Sequence, residues 1–332
     1  MNGLELIRDE MRRQHVDALA SLENNAALAG RVADAIHRTG RLVLLGMGGS
    51  HCANRMVEPL YRGLGIDATA LVASEVLRGP LPRGPRAVLL TSQSGGTGEV
   101  LRYLERPADG EARFGITLGA ESKLAAAVPS LIAAGGPERA FAATRSLTLT
   151  VAMHGAILAA LGLDPAPLTG VFRNPASPSV AAAVDRLAAC HTVVYSGRGV
   201  LQGVAEVAAL GLMELARMPA FAQEGGQLQH GPMEMLGEGV GVVLFRPAGA
   251  DAPAAARLVK ASRAAGSPVV VYDVSGEAAI PDAVTIAVPR AEGLAACAAL
   301  LPAMQETMIG VAMRRVERVG EPLRTTKVTD GE

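Results

Sequence analysis

The chain has 332 residues, of which 49% are hydrophobic and 19% charged, enough for two domains with sizeable cores. Its net charge of -1 and its 3% aromatic content give no reason to expect a nucleic-acid-binding surface. Three widely spaced cysteines, a charged N-terminus and the lack of a long uninterrupted apolar run predict a cytoplasmic protein with no disulfide, metal site or membrane span.

Helical and strand patterns alternate along the first half of the chain. Apolar spacing before Arg41 predicts one or two helices. The predicted strands are 41–46, 68–73, 86–92, 112–118 and 128–133, and the predicted helices are 51–64, 99–105 and 144–161. Because the strands are almost continuously apolar and alternate with helices, they predict a parallel sheet covered by helices on both faces.

The pattern then repeats after a segment rich in proline and glycine, 162–179, which we interpret as a linker. Strands at 191–196, 240–246 and 267–273 repeat earlier strands at an offset of about 150 residues. The sequence therefore predicts an α/β protein made of two tandem domains, residues 1–165 and residues 175–332.

The most informative segment is Thr91–Thr97, TSQSGGT, between a predicted strand and a predicted helix. Hydroxyls, glycines and a helix N-terminus together suit an anion such as a phosphate monoester. No lysine follows the last glycine, so the segment is not a Walker A loop. A helix cap with spare polar residues is the alternative. The second half has PAGAD at the matching place, which predicts one phosphate site per chain; Gly49 and Ser50, after the first strand, are expected beside it.

Three further residues are candidates for chemistry. His230 lies in the glycine-rich segment 224–232, where a structural role is the alternative. Glu214 lies in an apolar helical stretch that favours a raised pKa and a role as general base. By its local chemistry alone, Lys327 in the C-terminal tail is a solvated charge.

Six motifs resemble those of a known family: GMGGS, ASEVLRG, TSQSGGTGE, SGRG, QLQHGP and PLRTTKVT. They occur in the order found in tandem sugar isomerase (SIS) domain proteins, in particular the isomerase half of glucosamine-6-phosphate synthase. The resemblance implies two tandem flavodoxin-like SIS domains. It also implies a metal-free and cofactor-free homodimer that acts on a sugar 6-phosphate in a shared active site.

The same resemblance assigns roles by matching position. The phosphate-binding set is Ser50, Ser92, Gln93, Ser94 and Thr97, and further substrate contacts are Gly49, Glu224 and Thr326. Glu214 would move a proton between C1 and C2. His230 would open the sugar ring from the partner subunit, and Lys327 would form a Schiff base with the open ketose.

Three departures separate the chain from the synthase. The sequence begins at the helix before the first SIS domain, so we expect no glutaminase domain. Val207 and Gly211 stand where the synthase has an ion-paired glutamate and lysine, and Ala143 stands where it has a serine. These departures favour an aldose/ketose isomerase, an aminosugar-phosphate deaminase or a deglycase of sugar-amine adducts. A phosphosugar sensor without catalysis is the alternative from another class.

Overall fold

The computed structural model of the chain describes residues 1–327, so the last two residues of the motif PLRTTKVT lie outside the described part. The chain forms two compact units. The first unit contains Leu6–Arg173 and the tail that starts at Pro322, and the second unit contains Met1–Glu5 and Asn174–Glu321. The tail, which the sequence-based boundaries place in the second half, therefore lies with the first sheet.

The first unit is built on a five-stranded parallel sheet in the order β2-β1-β3-β4-β5. Its helices are α1 (Gly3–Asn24, whose first three residues belong to the second unit), α2 (Ala26–Thr39), α3 (Gly48–Gly63), α4 (Ala73–Arg78), α5 (Gly98–Leu104), α6 (Lys123–Ala127), α7 (Arg145–Ala160) and α8 (Ala166–Arg173). The strands are β1 (Arg41–Gly46), β2 (Asp67–Val72), β3 (Arg86–Thr91), β4 (Glu111–Thr117) and β5 (Ser130–Ile132). Every residue of β3 is buried, as expected for a central strand with both faces covered.

The second unit repeats this topology. Its strands are β6 (Thr192–Ser196), β7 (Ala220–Ala222), β8 (Val240–Arg246), β9 (Val269–Asp273) and β10 (Val284–Ala287), in the order β10-β9-β8-β6-β7. Its helices are α9 (Ala181–Ala188), α10 (Val200–Ala216), α11 (Ala252–Ala264) and α12 (Gly293–Arg315). Counted within its own unit, each sheet has the order 2-1-3-4-5, so the predicted duplication of a parallel α/β sheet is confirmed.

One local prediction is wrong. The segment expected to be a plain linker contains α8, because Leu168 and Phe172 are four residues apart and both bury their side chains. One helix, α12, is long and apolar enough to span a membrane by length and composition, although Gln305 and Glu306 interrupt its apolar run. Since 83% of its apolar window is buried inside the structure, α12 has the burial of a core helix.

The packing of α12 explains its glycines and those of its neighbours. A Cβ atom at Gly310 would lie 2.5 Å from Val184 Cγ2 on α9. A Cβ at Gly211 on α10 would lie 2.6 Å from Met308 Sδ on α12. Glycine at these positions lets the helix axes approach closely, so the second unit is held by tight helix packing beside its sheet.

Candidate active site

The loop Ser92–Thr97 follows β3 at the carboxyl edge of the first sheet, where the strand order reverses between β1 and β3. Ligands of open parallel sheets bind at such a reversal. Within the loop, Ser92 Oγ lies 2.8 Å from Thr97 Oγ1, and the N–H of Gly96 donates to Ser94 Oγ over 3.2 Å. The hydroxyls are therefore gathered in one small turn.

Backbone hydrogen bonds within the protein fix the conformation of the loop Ser92–Thr97. The carbonyl of Gln93 accepts from the N–H of Leu118 over 3.0 Å, and the carbonyl of Gly95 accepts from the N–H of Leu124 over 3.0 Å. Gly95 has a φ of +64°, and a Cβ there would lie 2.2 Å from Ser122 Oγ. Only glycine fits that position, because it alone adopts this φ freely and leaves room for Ser122.

Two observations favour anion binding over a helix cap. Thr97 is the residue before α5, yet its side chain makes no capping hydrogen bond. Gln93 Nε2 is buried and has no hydrogen-bond partner among the described residues. A buried N–H without a partner costs free energy, so this donor suits a ligand oxygen. The helix α5 has only seven residues, so loop N–H and hydroxyl groups would be the main donors.

The start of α3 lies beside the start of α7 in the same unit. Ser50 is buried in the first turn of α3. A Cβ atom at Gly49 would lie 3.7 Å from Ala143 Cβ and 3.5 Å from Leu147 Cδ2. The three candidate elements, namely the loop Ser92–Thr97, the first turn of α3 and the start of α7, therefore all belong to the first unit.

A buried glutamate that sequence reasoning missed joins the tail lysine to this unit. The side chain of Glu138 is 2% exposed, and its Oε2 accepts from Lys327 Nζ over 3.0 Å. The same oxygen accepts from Ser146 Oγ over 2.6 Å. Ser146 Oγ also lies 2.9 Å from Gln93 Oε1, and its one proton can be donated to either of the two oxygens, so a chain of three polar contacts connects Lys327 with the loop Ser92–Thr97.

The other oxygen of Glu138, Oε1, accepts hydrogen bonds from the start of α7. Oε1 accepts from the N–H and the hydroxyl of Thr144, over 3.0 and 3.1 Å, and from the N–H of Ser146 over 3.2 Å. The sequence signal for a role of Glu138 is its charge, since it lies a few residues before the apolar helix α7. Its partners could not be inferred, because Lys327 is 189 residues away.

The remaining candidates belong to the second unit. Glu214 lies in the last turn of α10 and is half-buried, and His230 is exposed after a 3-10 turn at Gln227–Gln229. Val207, on the same helix as Glu214, is 3% exposed, and Gly211 contacts α12. Packing thus accounts for the departure at Gly211, since a lysine there would collide with Met308.

Glu224 has a role in holding its own loop. Its Oε2 accepts from the N–H groups of Gly226 and Gln227, over 2.7 and 3.1 Å, and its Oε1 lies 3.6 Å from Arg198 Nη1. These contacts shape the segment that leads to His230. Thr326 is exposed next to Lys327.

Within residues 1–327, no three His, Cys, Asp or Glu side chains are grouped so that they could hold a metal ion. The three cysteines, Cys52, Cys190 and Cys297, are buried, and none of them forms a disulfide.

Comparison with known proteins identifies a domain in this chain and a similar enzyme. Residues 186–310, in the second unit, match the SIS domain. A glutamine–fructose-6-phosphate aminotransferase (isomerizing) from Rhizobium meliloti strain 1021 is 30% identical over 199 residues, which are 53% of this chain and 32% of that protein. The chain therefore spans about a third of that relative's length.

Solved structures share the fold over nearly the whole chain. The C-terminal domain of glucosamine-fructose-6-phosphate aminotransferase from Francisella tularensis superposes with a TM-score of 0.81 at 16% identity, covering 96% of this chain and 98% of that one. A glucosamine-6-phosphate deaminase from Thermotoga maritima superposes with a TM-score of 0.69 at 20% identity, covering 94% and 99%. The resemblance predicted from the motifs is thereby confirmed: residues 186–310 match the SIS domain, and the chain is similar to the isomerase part of the glutamine–fructose-6-phosphate aminotransferases.

Proposed function

We propose that the protein is a phosphosugar-processing enzyme that isomerises a ketose or aldose 6-phosphate or deaminates an aminosugar 6-phosphate. The observation that carries the proposal is the chain of polar contacts from Lys327 through Glu138 and Ser146 to Gln93. It puts an amine in the same bonded cluster as a preformed polar loop. A sugar with a phosphate at one end and a carbonyl at the other requires both groups.

The reaction follows from the chemistry of an imine. The neutral amine of Lys327 attacks the carbonyl carbon of the open-chain sugar, and the carbonyl oxygen leaves as water. The imine makes the hydrogen on the neighbouring carbon more acidic. Ammonia displaces Lys327 from this imine, and Glu214 then takes the proton from C1 and returns it to C2, which gives a 2-amino aldose phosphate. The reverse sequence deaminates the aminosugar phosphate, with Lys327 displacing ammonia and water hydrolysing the lysine imine. On the free open-chain sugar, the same proton transfer by Glu214 interconverts ketose and aldose while the hydroxyl proton moves from one oxygen to the other.

The two reaction classes differ in the group that leaves. With an aminosugar phosphate, proton transfer from C2 to C1 gives a ketose imine, and Lys327 then displaces ammonia. The deaminase likeness and the isomerizing relatives support both directions. The buried cysteines, none of which forms a disulfide, fit a reducing, cytoplasmic setting. The departures at Val207 and Gly211 favour these reactions over that of a complete synthase.

A substrate panel tests the proposal. Purified protein is incubated with fructose 6-phosphate, glucose 6-phosphate or glucosamine 6-phosphate, with and without ammonia, and the products are followed by NMR. We expect turnover of at least one of them. If correctly folded protein converts no sugar phosphate and no sugar-amine phosphate, the enzyme proposal fails and the sensor alternative stands.

Substitutions in the loop test the phosphate site directly. Ser94→Ala and Thr97→Val are each expected to weaken binding of the sugar phosphate by about 1.5–3 kcal/mol, the cost of one hydrogen bond to a charged group. Isothermal titration gives the affinity. Ser177→Ala, at an exposed position of the second unit, is the matched control and should bind as the wild type does. Unchanged affinity in both loop variants would mean that the hydroxyls serve the loop alone.

We propose further that the enzyme is a homodimer in which His230 reaches the partner's site. His230 is exposed, and its neighbour Gly231 has a φ of +113°, which fixes the turn behind it. Mixing inactive His230→Ala with inactive Lys327→Ala protein should restore about a quarter of the activity after full subunit exchange, since one of the two sites in a mixed dimer keeps every residue. Sedimentation as a monomer, or no recovery after verified exchange, would contradict the shared site.

A further inference from the structure

We propose that Glu138 is the positioning residue of Lys327: it docks the C-terminal tail onto the start of α7 and links that docking to Gln93. The inference rests on the proposed function for the role of Lys327 in catalysis. The docking itself depends only on the contacts among described residues of the first unit.

The two oxygens of Glu138 have separate tasks. Three hydrogen bonds from Thr144 and Ser146 hold Oε1 against the start of α7. They fix the carboxylate, because a side chain with this many partners has one favourable orientation. The second oxygen, Oε2, is thereby aimed at Lys327 Nζ, at 3.0 Å.

The ammonium of Lys327 has a second acceptor from the same loop, the carbonyl of Ala140. The side chain of Lys327 is 31% exposed, whereas that of Glu138 is 2% exposed. A buried carboxylate is costly without a cation, so the tail lysine compensates a charge that the fold has already buried. These contacts hold the amine at the end of the long Lys327 side chain in one place.

Composition supports a lysine-specific role. The chain has three lysines against 28 arginines, so its usual cation is arginine. The other two, Lys123 and Lys260, lie at exposed helix positions. An arginine could pair with Glu138 equally well, but only a lysine amine forms an imine.

Ser146 connects the docked lysine with the phosphate loop. Its hydroxyl lies between Glu138 Oε2, at 2.6 Å, and Gln93 Oε1, at 2.9 Å. Gln93 also carries the buried donor Nε2 that has no partner among the described residues. A phosphate that engages Gln93 therefore contacts the same network that holds Lys327, and the distance between the bound phosphate and the amine is fixed by it.

The test measures docking and catalysis separately. Glu138→Gln keeps an oxygen acceptor for Thr144 and Ser146, but replaces the carboxylate that faces Lys327. Reductive methylation for short times, followed by mass spectrometry, reports how accessible each lysine is without any ligand. In Glu138→Gln we expect labelling of Lys327 to rise by about tenfold, the factor of one lost charge-assisted hydrogen bond, while Lys123 and Lys260 stay unchanged.

Kinetics on the active substrate give the second readout. Glu138→Gln should lower kcat by about tenfold or more, with little change in KM, because the phosphate loop remains intact. Glu138→Asp keeps the charge on a shorter side chain and should be intermediate in both readouts; it also serves if the glutamine variant does not fold. Glu23→Gln, at an exposed position of α1, is the control and should match the wild type.

Each result has one meaning. Unchanged labelling of Lys327 in Glu138→Gln and Glu138→Asp overturns the docking, whatever the activity. Increased labelling with an unchanged kcat overturns the positioning role, although the ion pair exists. If wild-type protein turns over no sugar phosphate, the proposed function fails, while the labelling still decides whether Glu138 docks the tail.

Discussion

Lys327→Ala is expected to lower kcat/KM on the sugar phosphate by about a thousandfold or more, as loss of a covalent nucleophile does. The phosphate loop lies outside the tail, so binding of the sugar phosphate should persist. Borohydride added during turnover should fix the substrate onto Lys327 in the wild-type protein, seen as a mass increase of the C-terminal peptide. The alanine variant should gain no such mass.

Lys327→Arg separates docking from chemistry. Arginine keeps the positive charge and can still donate to Glu138, but it forms no imine under these conditions. We expect the arginine variant to be as inactive as Lys327→Ala, and Lys260→Ala, at an exposed position of α11, to be fully active. Substantial activity in Lys327→Arg would contradict the Schiff base and leave Lys327 with an electrostatic role.

Local sequence patterns predict the buried strands of this protein well. The segments that form β3 and β8 have six and seven residues, most of them apolar, and every residue of both strands is buried. Such runs report burial on both faces of a sheet without any knowledge of their neighbours. The loop after β3 was predicted for the same reason, since its polar residues follow a strand directly.

Interactions between distant residues were beyond those patterns. Ser146 was assigned to a helix, but nothing local shows that its hydroxyl reaches both Glu138 and Gln93, which lies 53 residues earlier. Helix α8 was missed because Pro165 and Gly170 outweighed two buried apolar residues in the composition of the segment. Short edge strands such as β7, with three residues, carry too little pattern to be predicted at all.

The largest expected effect on stability belongs to Arg145, whose side chain is fully buried at the start of α7. Its Nε donates to Glu10 Oε2 over 2.5 Å, and its Nη1 donates to Asp17 Oδ2 over 3.0 Å. Nη1 and Nη2 also donate to the carbonyls of Ala134 and Gly136, over 3.1 and 2.7 Å. The guanidinium therefore ties α1 to the segment that carries Glu138.

Arg145→Met is expected to lower the free energy of unfolding by about 3–5 kcal/mol, because it leaves buried carboxylate oxygens without their cation. Urea denaturation followed by circular dichroism measures the change. Arg31→Met, at an exposed position of α2, is the matched control and should stay within about 0.5 kcal/mol of the wild type.

Acid should reduce the difference between Arg145→Met and the wild type. Burial alone would raise the pKa of Glu10, but the backbone N–H of Arg139 and the guanidinium groups of Arg13 and Arg145 lower it below its usual range. A carboxylate whose pKa is lowered by folding contributes stability above its unfolded pKa, and that contribution is lost as the pH falls through the folded pKa. The cost of Arg145→Met should therefore be full at pH 7 and smaller below about pH 4, the usual range of a glutamate. A cost that stays constant from pH 7 to pH 3 would show that Arg145 acts through packing and its carbonyl hydrogen bonds rather than through its ion pair with Glu10.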